Sequence, residues 1–224
     1  MNFKGDFQFL GKADISALRE RVLAFGENEW NRDAWRRNQF KAHQQTTTIP
    51  LIFDEDFRHS QPTARPDYAA LREHVAPVLR LIRHHYDQSG ELRRLQDANG
   101  PAYPVRMLLA RLLPGGVIPA HMDRVFSLAH AHRVNVPIVT HDDVKFIIDG
   151  RRQPMKEGEV WEINNRRAHE VENASPISRV HMIVDWVIPG ERCCCSAHTH
   201  PTTPCTPEAC RATDFRPVPC DCLH

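Results

Sequence analysis

Apolar positions in the first hundred residues recur at helical spacing, and from about residue 103 the spacing shortens to two. Ile15, Leu18, Val22 and Phe25 form one stripe, which predicts a helix over 14–26 with Asp14 as its N-cap and Gly26 as its stop. Tyr68, Leu71, Val75, Leu79, Ile82 and Tyr86 form a longer stripe, predicting a helix over 67–86 that Pro66 and Asp67 open and Pro77 kinks. Between the two, QQTTTIPLIF at 44–53 is β-branched and apolar and reads as a strand. Pro50, lacking an N–H, places that strand at a sheet edge.

Short period-two segments follow at 105–113, 133–139, 144–148, 159–163 and 178–188. Pro114-Gly115-Gly116, Asp149-Gly150, Glu157-Gly158 and Asn164-Asn165 separate them, and Asp149-Gly150 between VKFII and RRQPM is a hairpin signal. The pattern predicts a mainly β protein: N-terminal helices over about 1–100 lean on a barrel or jelly-roll core over about 103–188.

Composition changes abruptly near the end. All seven cysteines lie at or after Cys193, where proline is frequent and Phe215 is the one aromatic residue. Such a segment buries no core, so residues 193–224 are expected to be a disordered Cys/Pro-rich tail on a 1–192 domain. A disulfide-stapled secreted fold would spread cysteines through its core, whereas here the core has none. With no secretory leader in MNFKGDFQFLGKAD, the expected location is the cytoplasm. The 29 Lys and Arg against 28 Asp and Glu argue against a partner recruited by bulk charge, so no nucleic acid and no membrane surface is expected. No apolar run is long enough to span a bilayer.

Fourteen histidines make a single histidine uninformative, and spacing has to select among them. In extended chain, residues i and i+2 point the same way, so His121 and Asp123 in the run His121-Met122-Asp123 can present an imidazole and a carboxylate to one point. A third ligand must come from elsewhere, and His169 opens the strand-like HEVEN. Two His and one carboxylate on one face of a metal suit a non-haem Fe(II) oxygenase. A second H-x-D, His141-Asp142-Asp143, falls between two strands and reads as a polar loop. In RVHMIVDW, alternation puts Arg179, His181, Ile183 and Asp185 on one face and Val180, Met182, Val184 and Trp186 on the other. An arginine facing a barrel interior needs an anion, which a dicarboxylate supplies. Arg133 and Asn135 share a face of a neighbouring strand, and Trp35, Arg36, Arg37 and His43 are candidates for the mouth of the site.

The pieces LLPGGVIPAHMD, HRVNVPIVT, GEVWEINNRRAHEVEN and SRVHMIVDW, in this order, resemble the aspartyl/asparaginyl β-hydroxylase family, which includes bacterial proline cis-hydroxylases; QTTTIPLIFD is similar to the family's early strand. The resemblance implies a double-stranded β-helix (jelly roll, cupin-like) that uses Fe(II), O₂ and 2-oxoglutarate as co-substrate. Oxidative decarboxylation of 2-oxoglutarate is there coupled to hydroxylation of a C–H bond. It further implies His121, Asp123 and His169 as catalytic metal ligands, Arg179 as the anchor of the distal 2-oxoglutarate carboxylate, and Arg133 with Asn135 as further co-substrate or substrate contacts. A carboxylate at Asp123 resembles the bacterial small-molecule branch rather than the two-His animal enzymes. The implied substrate is an amino acid, free or within a peptide. The alternative is a non-catalytic jelly-roll module that uses the same pocket to bind a ligand.

Overall fold

A computed structural model describes residues 5–55, 62–123, 128, 131–191, 199–200 and 203–204. The chain begins with β1 (Phe7–Lys12), α1 (Ser16–Leu23), α2 (Glu27–Asn31), α3 (Trp35–Gln39) and a 3-10 turn at Lys41–His43. Strands β2 (Thr46–Asp54) and β3 (Pro62–Ala64) and helices α4 (Pro66–Asp87) and α5 (Gly90–Asn99) follow. The core strands are β4 (Tyr103–Leu112), β5 (Val117–His121), β6 (His132–Val139), β7 (Val144–Ile148), β8 (Arg151–Gln153), β9 (Glu159–Ile163), β10 (His169–Asn173) and β11 (Arg179–Val187).

The strands form two antiparallel sheets, a larger one in the order β1-β9-β6-β11-β4-β2-β3 and a smaller one in the order β5-β10-β7-β8. From β4 onward the chain passes back and forth between them, which makes a jelly roll. Alternation along β11 sets up the layering. Val180, Met182, Val184 and Trp186 join the main core with Leu71, Val75, Val78 and Ile82 of α4 and Leu18 and Val22 of α1, so the helices cover the outer face of the large sheet. Each such side chain contributes about 1.5–3 kcal/mol of burial. The inner face of β11 turns toward the small sheet, where Leu112, Ile118, Phe146, Ile148 and Val171 form a second cluster.

Several local expectations shift by a few residues. Ile15, not Asp14, is the N-cap of α1, although the Asp14 carboxylate still accepts the Ser16 N–H at 2.9 Å and the Ser16 hydroxyl at 2.7 Å. The helix stops at Leu23, and Gly26 opens α2 instead, donating its N–H to Glu29 Oε2 at 3.0 Å. Helix α4 runs through Pro77 as one helix. Pro50 lies in a strand that is second from the edge, but β3 pairs only with Ile52–Asp54, and the β2–β4 register shifts between Pro50 and Ile52. On the β3 side no strand lies alongside Pro50, while on the other side it pairs with Leu108 of β4. At Asp149-Gly150 both residues have positive φ (46° and 78°), which the tight β7–β8 hairpin requires.

Of the segment 193–224, the described part is two short strands, Thr199–His200 and Thr203–Pro204, paired antiparallel; the remaining tail residues, with their cysteines, lie outside the described residues. No described helix is long and apolar enough to cross a membrane.

One buried polar cluster ties the layers together. His132 on β6 lies 2.6 Å from Glu162 Oε1 on β9 through Nδ1 and 2.8 Å from Glu191 Oε2 through Nε2, while the Tyr86 hydroxyl of α4 donates to Glu162 Oε2 at 3.0 Å. With a carboxylate at each ring nitrogen, both nitrogens must donate, so the ring is an imidazolium. Burial alone pushes this imidazole down, but Glu162 and then Glu191 outweigh it and leave the pKa above its ordinary value of 6.5. A folded pKa above the unfolded one stabilises fully below the unfolded pKa and is lost as pH rises through the folded one. Stability in urea should therefore fall as pH climbs from about 6.5 upward, and His132→Gln should flatten that slope. An identical slope in the variant would remove His132 as its source.

Candidate active site

Strand pairing brings the predicted residues together. His121 ends β5, His169 starts β10, and the β5–β10 register sets the two directly opposite one another. Asp123, two residues beyond His121, has its N–H tied to the Asn165 carbonyl at 3.0 Å. One donor atom from each of His121, Asp123 and His169 lies within 4.8 Å of the others. Among the described residues no other group of three His, Cys, Asp or Glu is so arranged.

Backbone carbonyls set both tautomers. His121 Nδ1 is 2.8 Å from the Pro119 carbonyl, and His169 Nδ1 is 3.0 Å from the Arg167 carbonyl. A carbonyl only accepts, so each Nδ1 carries the proton and each Nε2 keeps its lone pair. His121 Nε2 is buried with no hydrogen-bond partner, and His169 Nε2 is 3.9 Å from Asp123 Oδ2. Burial pushes the His169 imidazole down to about 4, so it is neutral near pH 7. This is the donor state a divalent metal requires, with the second nitrogen oriented as metal-binding histidines are.

Asp123 is held ionised. Burial alone would raise its carboxyl, but the Arg133 guanidinium beside it, helped by the neighbouring imidazoles, holds it well below the usual carboxylate range. Arg133 Nη1 donates to Asp123 Oδ2 at 2.6 Å, and Asn165 Nδ2 donates to the same oxygen at 3.1 Å. The rest of Arg133 is gripped by Asp185, its cross-strand neighbour on β11, through Nε–Oδ1 at 2.8 Å and Nη2–Oδ2 at 2.9 Å. Arg133 was expected to meet a co-substrate or substrate carboxylate. Its guanidinium lines the cavity and binds two carboxylates of the protein, orienting Asp123.

The cavity between the sheets measures about 30 Å³ and is lined by residues of both, including His121, His169, Arg133, Asn135 and Arg179. Arg179 is 2% exposed, and its side chain has no hydrogen bond or ion pair among the described residues; its Nε is buried and unpartnered. Burial, and after it the Arg36 cation, push its pKa down to about 9, so it remains charged near pH 7. Asn135 Nδ2 is likewise buried and unpartnered. His181, next on this face, has neither nitrogen bonded, and burial pushes it well below its ordinary pKa. Of the proposed mouth residues, Arg36 and His43 line this cavity, Trp35 lines the adjoining one, and Arg37 turns away to Asn31. His141 and Asp143 are exposed in the turn between β6 and β7. Sequence reasoning missed Asn165 and the part played by Asp185. The signal for Asp185 was present, because a carboxylate on the inner face of a buried strand needs a cation.

The model of a family described as aspartyl/asparaginyl beta-hydroxylase matches residues 92–189, a span that holds all three converging residues and Arg179. No curated protein matches the chain in sequence. Among solved structures, a 2OG-Fe(II) oxygenase family oxidoreductase from Burkholderia pseudomallei is 14% identical with a TM-score of 0.49, covering 63% of this chain and 67% of its own. The viral collagen prolyl hydroxylase of Paramecium Bursaria Chlorella virus-1 is 9% identical with a TM-score of 0.49, covering 82% and 96%. A Pseudomonas putida prolyl-4-hydroxylase is 16% identical with a TM-score of 0.48, covering 82% and 93%.

In the space between the sheets, Arg133 neutralises two buried carboxylates at once. Arg133→Ala should therefore cost about 3–5 kcal/mol, because Asp123 and Asp185 are left without a counter-charge. Denaturant unfolding without added metal measures this directly, and a loss below about 1 kcal/mol would mean the carboxylates find other partners.

Proposed function

We propose that the protein is an Fe(II)- and 2-oxoglutarate-dependent hydroxylase of an amino acid or an amino-acid residue. The observation that carries this reading is one cavity holding both a convergent His–Asp–His donor set and a buried arginine with no counter-anion. The donor set fits the group: two imidazoles whose Nδ1 atoms are taken by backbone carbonyls, so that Nε2 is left to face the metal, and one ionised carboxylate. Iron bound there supplies the coupling of 2-oxoglutarate decarboxylation, which gives succinate and CO₂, to the insertion of one oxygen atom from O₂ into a C–H bond.

The chain's own residues do the rest. His121, Asp123 and His169 hold the metal, and Arg133 and Asn165 keep Asp123 charged and aimed. Arg179 takes the distal carboxylate of 2-oxoglutarate with its planar fork, and Asn135 Nδ2 offers a further donor to the co-substrate. Ile118, Phe146, Ile163, Val171 and Ile183 wall the cavity with apolar surface that keeps bulk water from the reacting centre. A ligand-binding module without chemistry would have no use for three donor atoms facing one point. We assign the activity to the 1–192 unit, working in the cytoplasm, in keeping with a core free of cysteine.

Full-length protein given Fe(II), ascorbate, 2-oxoglutarate and air should form succinate, and Asp123→Ala should lower the rate by at least about 100-fold. No succinate from the wild type, across free amino acids and peptides, would defeat the hydroxylase reading. Arg179→Gln should raise the KM for 2-oxoglutarate by about tenfold or more, since a charge-assisted pair contributes roughly 1.5–3 kcal/mol. An unaltered KM would remove Arg179 from that role.

A further inference from the structure

The turn between β9 and β10, residues 164–168, carries much of the convergent donor set. His121 is oriented within its own strand, by the Pro119 carbonyl. His169 and Asp123 both lean on the turn. The Arg167 carbonyl accepts from His169 Nδ1 at 3.0 Å. Asn165 meets Asp123 twice: its carbonyl accepts the Asp123 N–H at 3.0 Å, and its Nδ2 donates to Asp123 Oδ2 at 3.1 Å. This turn passes from the large sheet to the small one, and a connection of that kind is by default among the more mobile parts of a fold. Its outer side therefore decides how firmly two of the three donors are aimed.

Residues 5–6 grip that outer side. They run on from β1 beyond the Phe7–Ile163 pair and lie beside Asn164, whose N–H donates to the Asp6 carbonyl at 2.9 Å and whose Nδ2 donates to the Gly5 carbonyl at 3.1 Å. The Asp6 carboxylate accepts from Arg167 Nη1 at 2.9 Å and pairs as well with Arg151 of β8. Arg167 Nη1 also reaches Asp149 Oδ2 at 3.4 Å, and the Asp149 N–H donates to the Ala168 carbonyl at 2.9 Å. Exposed ion pairs contribute little, but Asp6 is 5% exposed and holds two guanidiniums, so its place is well defined. Phe7 packs edge-on against Phe146 of the small sheet, with ring centroids 5.9 Å apart, and anchors the segment to both sheets. Resting on the hydroxylase reading above for the nature of the site, we infer that residues 5–6 are a positioning clamp for the metal. Through Asn164 and Arg167 they fix the turn whose Asn165 and Arg167 carbonyl aim Asp123 and His169. Asp6 itself is a positioning residue that acts through Arg167.

The test titrates the full chain with Mn(II) and reads the free ion by electron paramagnetic resonance. Mn(II) prefers oxygen ligands and is a poor match for the thiols of residues 193–224. The wild type should bind Mn(II), and Asp123→Ala should abolish that binding. Asp6→Asn and Arg167→Gln should each weaken it by about tenfold, the scale on which partners that orient metal ligands act. The double variant should bind within about twofold of either single one, because both cut the same link, whereas independent effects would multiply. Asp6→Glu, which keeps the carboxylate, should recover most of the affinity. Leu18→Ala, which destabilises the fold from the core on the other face of the large sheet, should leave the affinity within about twofold. Wild-type affinity in both Asp6→Asn and Arg167→Gln, or an equal loss in Leu18→Ala, would overturn the clamp and leave the hydroxylase reading standing. Mn(II) binding that shows all the expected responses, in a protein that forms no succinate with Fe(II), would defeat the hydroxylase reading alone. A wild type that binds no Mn(II), or binding that survives Asp123→Ala, would overturn the clamp together with the site it serves.

Discussion

The double grip of Arg133 on Asp185 and Asp123 is the interaction on which the site depends. A guanidinium offers five N–H groups in one plane, and here three of them meet two carboxylates on different elements. Asp185 is fixed by the β6–β11 register, so it orients Arg133, and Arg133 in turn orients a residue on the loop beyond β5. The sheet thus extends its order to a carboxylate that is not part of any strand. The same pair keeps that carboxylate ionised despite burial.

Around this brace, β11 works as a partition. Its outward residues serve only packing, and Trp186, Val184 and Met182 join the helices in one core. Its inward residues are Arg179, His181, Ile183 and Asp185, of which Arg179 and Ile183 line the cavity. A strand with an apolar outer face and a polar inner one tolerates no slip of register, because one residue of shift would place Arg179 in the helical core and Met182 in the cavity. Strong pairing on both flanks, with β4 and β6, enforces the register.

Strands β4, β6, β7, β9 and β11, the α4 stripe and the Asp149-Gly150 hairpin could be read from the sequence because their apolar residues recur at a regular period between turn signals. Helix α5 could not, since it buries no residue and shows only a cap at Ser89. Strand β5 is broken in pattern by Pro119, and β1 is a short edge strand. At the site, period two sufficed to align His121 with Asp123. The pairing of His169 with His121 follows from the order of strands in the small sheet, which no local pattern encodes. The sequence shows that Arg133 faces inward, but its carboxylate partners lie on a strand neighbour and a loop, so those two ion pairs could not be read from it. Arg36 was only one basic residue among several until the fold buried its head.

The helical segments reach the cavity between the sheets at one place. Residues 35–43, a five-residue helix and a single tight turn, bring Arg36 and His43 to its wall, while α1 and α4 pack in the core on the other face of the large sheet. One short stretch outside both sheets therefore completes the cavity wall, moored to β2 where the Thr46 hydroxyl donates to the His43 carbonyl at 2.8 Å. Its shape can vary while the β5–β10 pairing that sets His121 opposite His169 stays in place.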